Sequence, residues 1–147
     1  MNSYGFHVEQ GIAKTGIVAT LKLGKGDKSL GIRADMDALP MQEETGLPYA
    51  SQHHGIMHAC GHDGHTTIAL AAAKALAEEG NFNGTMRFIF QPAEEIGRGA
   101  KAMIDDGLFS RFPVDSIYGL HNWPGLPSGH FAFIDGVAMA SVDSYIV

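Results

Sequence analysis

The chain has 147 residues, 45% of them hydrophobic and 18% charged, which is enough to close one apolar core and too apolar for a disordered segment. Its formal charge of −6 argues against nucleic acid as a partner, because phosphate binding needs a net basic face. No run approaches the ~18 apolar residues of a membrane span, since the longest candidate, IALAAA at 68–73, is stopped by Lys74.

The opening MNSYGFHVEQ has neither the basic start nor the apolar stretch of a secretory leader. The next stretch, GIVATLKL (16–23), reads as a strand, followed by a turn at GKGDKS. LGIRAD (30–35) reads as a second strand that could pair with the first as a hairpin. From 36 to 57 the chain is irregular, punctuated by Pro40, Gly46, Pro48 and Gly55. An alanine-rich helix is predicted over 65–79, with Gly80 as its stop signal. TMRFIFQ (85–91) is a buried strand ending at Pro92, and a short helix over 99–106 precedes Gly107. Residues 115–121 (DSIYGLH), 131–134 and 141–147 are predicted strands. Helices alternating with strands predict a layered α/β/α domain with a mixed, partly parallel sheet. The last residues, SVDSYIV, read as a strand with no stop signal, so a longer protein is expected.

Four polar clusters fall at strand ends or at the helix start: RADMD (33–37), ACGHDGH (59–65), QPAEE (91–95) and LHN (120–122). In open α/β sheets the ligand crevice lies outside the carboxyl ends of the strands, so four distant clusters could meet at one edge. Cys60 is the only cysteine, which excludes an internal disulfide and points to a cytoplasmic setting. Cys60 and His62, two apart in an extended segment, would point the same way and form a pair of metal ligands. The bland alternative is a structural cysteine beside a solvated histidine. The helix start nearby would favour a thiolate.

Adjacent Glu94 and Glu95 in extended chain would face opposite sides, one toward a metal and one toward a water as general base. A charge pair at a helix N-terminus is the competing reading. Glu78 and Glu79, at the end of the alanine-rich helix, form a similar pair with no assigned role. His121 is a further candidate ligand or a polar strand cap. Asp35 and Asp37 alternate after an apolar strand and suit the support of an imidazole N–H, or the capping of a loop. His7, His53, His54 and His130 read as surface histidines, and His58 and His65 stay open between support and structure.

RADMDALP, MHACGHDGHTT, FQPAEE and GLHNWP, in this order and spacing, resemble the family of metal-dependent amidohydrolases that holds aminoacylase, hippurate hydrolase, N-acetyldiaminopimelate deacetylase and the auxin–amino acid hydrolases. These are relatives of the di-metal carboxypeptidases of the carboxypeptidase G type. The resemblance covers nearly the whole chain and implies a zinc-exopeptidase-like catalytic domain.

It further implies Cys60 as bridging ligand, His62, Glu95 and His121 as further ligands, Glu94 as general base and Asp37 as supporting aspartate. Asp35 stands where the wider superfamily has a ligand histidine, a swap usual for the aminoacylase branch. The implied cofactors are two divalent ions, manganese or zinc, with cobalt and nickel also tolerated by a thiolate, imidazole and carboxylate set. The implied substrate is a small N-acyl amino acid.

Family chains are longer, with a lid and dimerisation domain and a last histidine ligand beyond the residues matched here. Residues 1–147 would then be part of a catalytic domain, with little activity alone, and any homo-oligomer would form through the smaller domain. Two rivals remain: a thiol hydrolase using Cys60 as nucleophile with His62 or His121 as base, and a non-catalytic metal-binding module.

Overall fold

The computed structural model describes residues 1–140. After a single 3-10 turn at Asn2–Tyr4 come strands β1 (His7–Ile12), β2 (Gly16–Leu23) and β3 (Ser29–Asp35). Helix α1 (His62–Glu79), strand β4 (Gly84–Gln91), helices α2 (Gly99–Asp105) and α3 (Leu108–Arg111), and strand β5 (Ser116–Gly119) follow. The sheet order is β1-β2-β4-β3-β5. The β1–β2 and β2–β4 pairs are antiparallel, while β4 and β5 both run parallel to β3. The sheet is therefore mixed, as the alternation of elements implied.

Inside and outside alternate along the strands. Ala19, Met86, Phe88 and Phe90 enter one core with Phe6, Ala34 and the α1 residues Ala69 and Ala73. Val18 and Ile89 face the other way and pack with Ile12, Met103, Leu108 and Phe112. The helix after β3 and the helices after β4 thus cover opposite faces of the sheet. Such a reversal opens a crevice at the carboxyl ends of the strands. The alanines let α1 lie close to the sheet, where Phe6 meets Phe88 edge-on at 5.6 Å between ring centres.

Several expectations are corrected. The strands at 16–23 and 30–35 do not form a hairpin, because β4 lies between them and pairs with both. The true hairpin joins β2 to β1, a strand that the sequence pattern does not announce. Its turn uses Ala13 and Lys14 at φ 50° and 77°, the left-handed conformations that match the twist of paired strands. Helix α1 starts at His62, three residues earlier than predicted, after Gly61 at φ 88°. The predicted helix near 99–106 is present, followed by the unpredicted α3. Residues 131–134 form no strand, and Phe131, Phe133 and Ile134 are exposed. The predicted strand at 141–147 lies outside the described residues.

Candidate metal centre

The parallel strands deliver their carboxyl ends to one edge. Asp35 ends β3 level with Gln91 at the end of β4, and β5 finishes at Gly119, two residues before His121. The first turn of α1 meets the same edge and brings His62 and His65. All four polar clusters meet there.

His62 is fully buried and stands at the centre. Its Nδ1–H donates to the main-chain carbonyl of Asp37 at 2.9 Å, which leaves Nε2 with a free lone pair. That nitrogen lies 3.5 Å from Asp35 and 3.7 Å from both Glu94 and Glu95. His121 repeats the pattern. Its Nδ1–H donates to the carbonyl of Asn122 at 2.6 Å, and its Nε2 faces the Cys60 sulfur at 3.6 Å. A backbone carbonyl on one ring nitrogen fixes the tautomer and turns the other into a ligand.

Three groups of potential donor atoms lie within 4.8 Å of one another: Cys60, His62 and His121; His62, Glu94 and Glu95; and Asp35, His62 and His65. His62 belongs to all three. The last is closed on itself, because His65 Nδ1–H already donates to Asp35 at 2.6 Å.

Among the described residues, the buried side-chain atoms left without a hydrogen-bond partner are Asp37 Oδ1, His62 Nε2 and Glu95 Oε1. An unpaired buried polar atom costs about 1–3 kcal/mol, so His62 Nε2 and Glu95 Oε1, 3.7 Å apart, need a positive charge between them, while Asp37 Oδ1 lies 3.3 Å from the other ring nitrogen of His62. The thiol, imidazole and carboxylate chemistry of the set fits a divalent transition ion.

The surrounding groups support these donors. Asp37 accepts the Glu95 main-chain N–H at 3.1 Å while its own main chain holds His62. Burial alone would push the Asp35 carboxyl up, but the His65 hydrogen bond, Arg33 and the nearby imidazoles hold it below its usual 3.8.

Two premises drawn from local geometry fail. Glu94 and Glu95 do not sit in extended chain. Ala93 turns at φ 51°, and its carbonyl accepts the N–H groups of Arg98 and Gly99, so both carboxylates swing to the same side, toward His62. Gly99 closes the turn because a Cβ there would overlap the Pro92 carbonyl. Nor does the helix start favour a thiolate at Cys60. Burial pushes the thiol up, and Glu95, Glu94 and Asp35 push it further. Its proton leaves readily only if a cation offsets those carboxylates.

His7, His53, His54, His58 and His130 are exposed and take no part. Arg33, His65, Gln91 and Asn122 do take part, although no role was assigned to them. All four lay inside the quoted clusters, so the signal was present without a geometry to read it. Among the described residues, no helix is long and apolar enough to cross a membrane.

A mixed α/β sheet with ion-competent donors gathered at its parallel carboxyl ends defines a class of α/β domain built around a metal site. The chain belongs to peptidase family M20/M25/M40, whose pattern matches residues 31–144. It is 54% identical over 147 residues to the hippurate hydrolase of Campylobacter jejuni, covering all of this chain and 38% of that protein. It is 44% identical over 144 residues to the N-acetyl-L-cysteine deacetylase of Bacillus subtilis, covering 97% of this chain and 34% of that one. Among solved structures, the Bacillus subtilis YXEP protein, described as a dinuclear metal binding peptidase from the M20 family, superposes with a TM-score of 0.79 at 43% identity. That match covers 86% of this chain and 35% of the YXEP chain. The chain thus spans little more than a third of the length of the relatives it matches.

Proposed function

We propose that this chain carries most of the metal centre of an amidohydrolase that splits N-acyl amino acids into a carboxylate and a free amino acid. The observation that carries this reading is the pair of unpartnered buried atoms, His62 Nε2 and Glu95 Oε1, at the point where Cys60, His121 and Glu94 converge. The names of the relatives, a hippurate hydrolase and an N-acetyl-L-cysteine deacetylase, support the substrate class, because both share an acyl group on an amino acid nitrogen.

Cys60, His62, Glu95 and His121 are the residues that would hold two divalent ions, manganese or zinc first, with cobalt and nickel compatible with the same donors. Bound there, the ions would supply the positive charge that polarises an acyl carbonyl and acidifies a water. With an ion bound, Cys60 would contribute the anionic charge of its thiolate beside His62 and His121. Asp37 fixes His62 by its carbonyl and the Glu95 main chain by its carboxylate. Glu94 is the more open of the two carboxylates, its side chain 40% exposed against 22% for Glu95. It is the group free to take a proton from water and pass it to the leaving amine nitrogen. The raised thiol disfavours Cys60 as a free nucleophile, because thiol catalysis needs the thiolate.

Residues 1–147 would form part of a catalytic domain, bind metal weakly alone and turn over little. Full turnover of N-acetyl or N-benzoyl amino acids by these residues alone would overturn that part of the reading. The decisive experiment uses the full natural chain. Glu94→Gln should lower kcat by ~10²–10⁴-fold with metal content unchanged. Loss of metal along with activity would make Glu94 a ligand. Stoichiometric metal without hydrolysis in the unaltered full chain would leave only a binding module.

A further inference from the structure

A second polar chain runs through the floor of the site, with Asp35 3.5 Å from the open His62 nitrogen. Gln91 Oε1 accepts from Arg33 Nε at 2.8 Å, and Arg33 Nη1 donates to Asp35 Oδ2 at 2.7 Å. The other carboxylate oxygen of Asp35 accepts from His65 Nδ1 at 2.6 Å. On its far side, His65 Nε2 meets Asn122, whose main-chain nitrogen lies at 3.0 Å and whose side-chain amide lies at 2.7 Å. Asp35 and His65 are 0% and 3% exposed. A buried carboxylate held on both oxygens cannot swing, and an imidazole pinned at both nitrogens cannot rotate.

Asn122 is the point of this chain. It follows His121 directly, and its carbonyl holds the His121 ring. It also rests on Gly61, where a Cβ would collide with its carboxamide. Gly61 separates Cys60 from His62. Among the described residues the segment after β5 has little else to hold it: residues 120–130 are exposed throughout. The core-anchored ends of β3 and β4 are therefore tied, through one imidazole, to the loop that presents His121 to Cys60.

We infer that His65 is a positioning residue, locked by Arg33 and Asp35, that seats Asn122 on Gly61 and so sets the His121 imidazole against the Cys60 sulfur. This rests on the proposed metal centre and deepens it. His65 supplies no atom to the ion, since both of its nitrogens are already engaged.

The test uses the full natural chain loaded with Co²⁺, read by absorption and by ¹H–¹⁵N spectra of the histidine rings in the Zn²⁺ form. The unaltered protein should show a thiolate-to-cobalt band and a coordinated His121 Nε2. His65→Leu should keep the band, lose the coordinated His121 signal and bind Co²⁺ ~10–100-fold more weakly, the usual effect of removing a group that orients a ligand. His65→Gln, which offers one donor and one acceptor, should recover affinity to within a few-fold and restore the His121 signal.

Asn122→Ala, at an exposed position that does not endanger folding, should weaken Co²⁺ by ~10-fold and leave the thiolate band in place. Wild-type affinity and an unchanged His121 signal in Asn122→Ala, or in a folded His65→Leu, would overturn the inference. So would a folded His65→Gln no better than His65→Leu. Absence of Co²⁺ binding in the unaltered protein would instead remove the metal centre itself, a distinguishable failure.

Discussion

The two ends of the parallel strands both carry polar side chains and come out differently. At the amino ends every polar group named here finds a partner. Asp115 accepts the Ser29 main-chain N–H at 2.7 Å and its hydroxyl at 2.9 Å, with Lys28 3.7 Å away. Asn83 accepts the N–H groups of Lys25 and Gly26 at 2.8 and 2.7 Å. At the carboxyl ends the groups are more buried, yet His62, Glu95 and Asp37 each keep one atom unpaired. Where polar side chains serve only to close a loop, they satisfy one another and stay near water. Where they are buried and still unpaired, they are arranged for something from outside the chain.

The largest effect that sharpens this contrast is expected from His62→Ala. It removes the one residue common to every donor group, so divalent-ion affinity, read by calorimetry, should fall by more than ~100-fold, beyond the 10–100-fold typical of a supporting residue. Retained affinity would mean that the unpaired atoms at the carboxyl end have no shared occupant.

Next in size is the effect of the ion on folding. In the full natural chain, a divalent ion at a hundred times its dissociation constant should raise unfolding free energy by ~2.7 kcal/mol, and a chelator should reverse it. Denaturant unfolding with and without metal measures this directly.

The smallest effect belongs to the amino end. Hydrogen bonds from Ser29, with Lys28 nearby, hold the Asp115 carboxyl below its usual 3.8. A depressed folded-state value means that its stabilisation is present above pH ~4 and is lost as pH falls through the folded value. Asp115→Asn should therefore be slightly less stable than the parent at pH 7, equal to it in strong acid, and unchanged in metal affinity. A metal defect in this variant would blur the two ends into one system.

The location of the site was legible because Asp35, Gln91 and His121 each follow an apolar run that had to be a strand. The relation between those strands was not. The insertion of β4 between β2 and β3 is a long-range pairing, and two neighbouring strands read locally look like a hairpin. HVEQGI (7–12) alternates too weakly to announce β1, since Val8 and Ile12 are its only large apolar residues.

Within the site, donor types could be read from residue identity, but their directions depend on backbone turns. Ala93 at φ 51° sends both glutamates to one side, where an extended reading sends them apart. His65 stayed undecided for a related reason: an imidazole on a helix reads the same whether it faces solvent or is pinned between Asp35 and Asn122. FAFI at 131–134 has strand composition but no paired neighbour among the described residues, which shows how much of a strand lies in its partner.

His62 is the first residue of an 18-residue helix whose later turns, at Ala69 and Ala73, are wedged against the sheet. An α-helix is stiff, and Ala73 stands about 16 Å along the axis from His62 at 1.5 Å per residue. The helix therefore works as a lever, with its fulcrum in the apolar interior and its tip at the open imidazole nitrogen. An added methyl group at Ala73, which is fully buried, would press on this lever, so the fit of any ion held at its tip would depend partly on residues that never come near it.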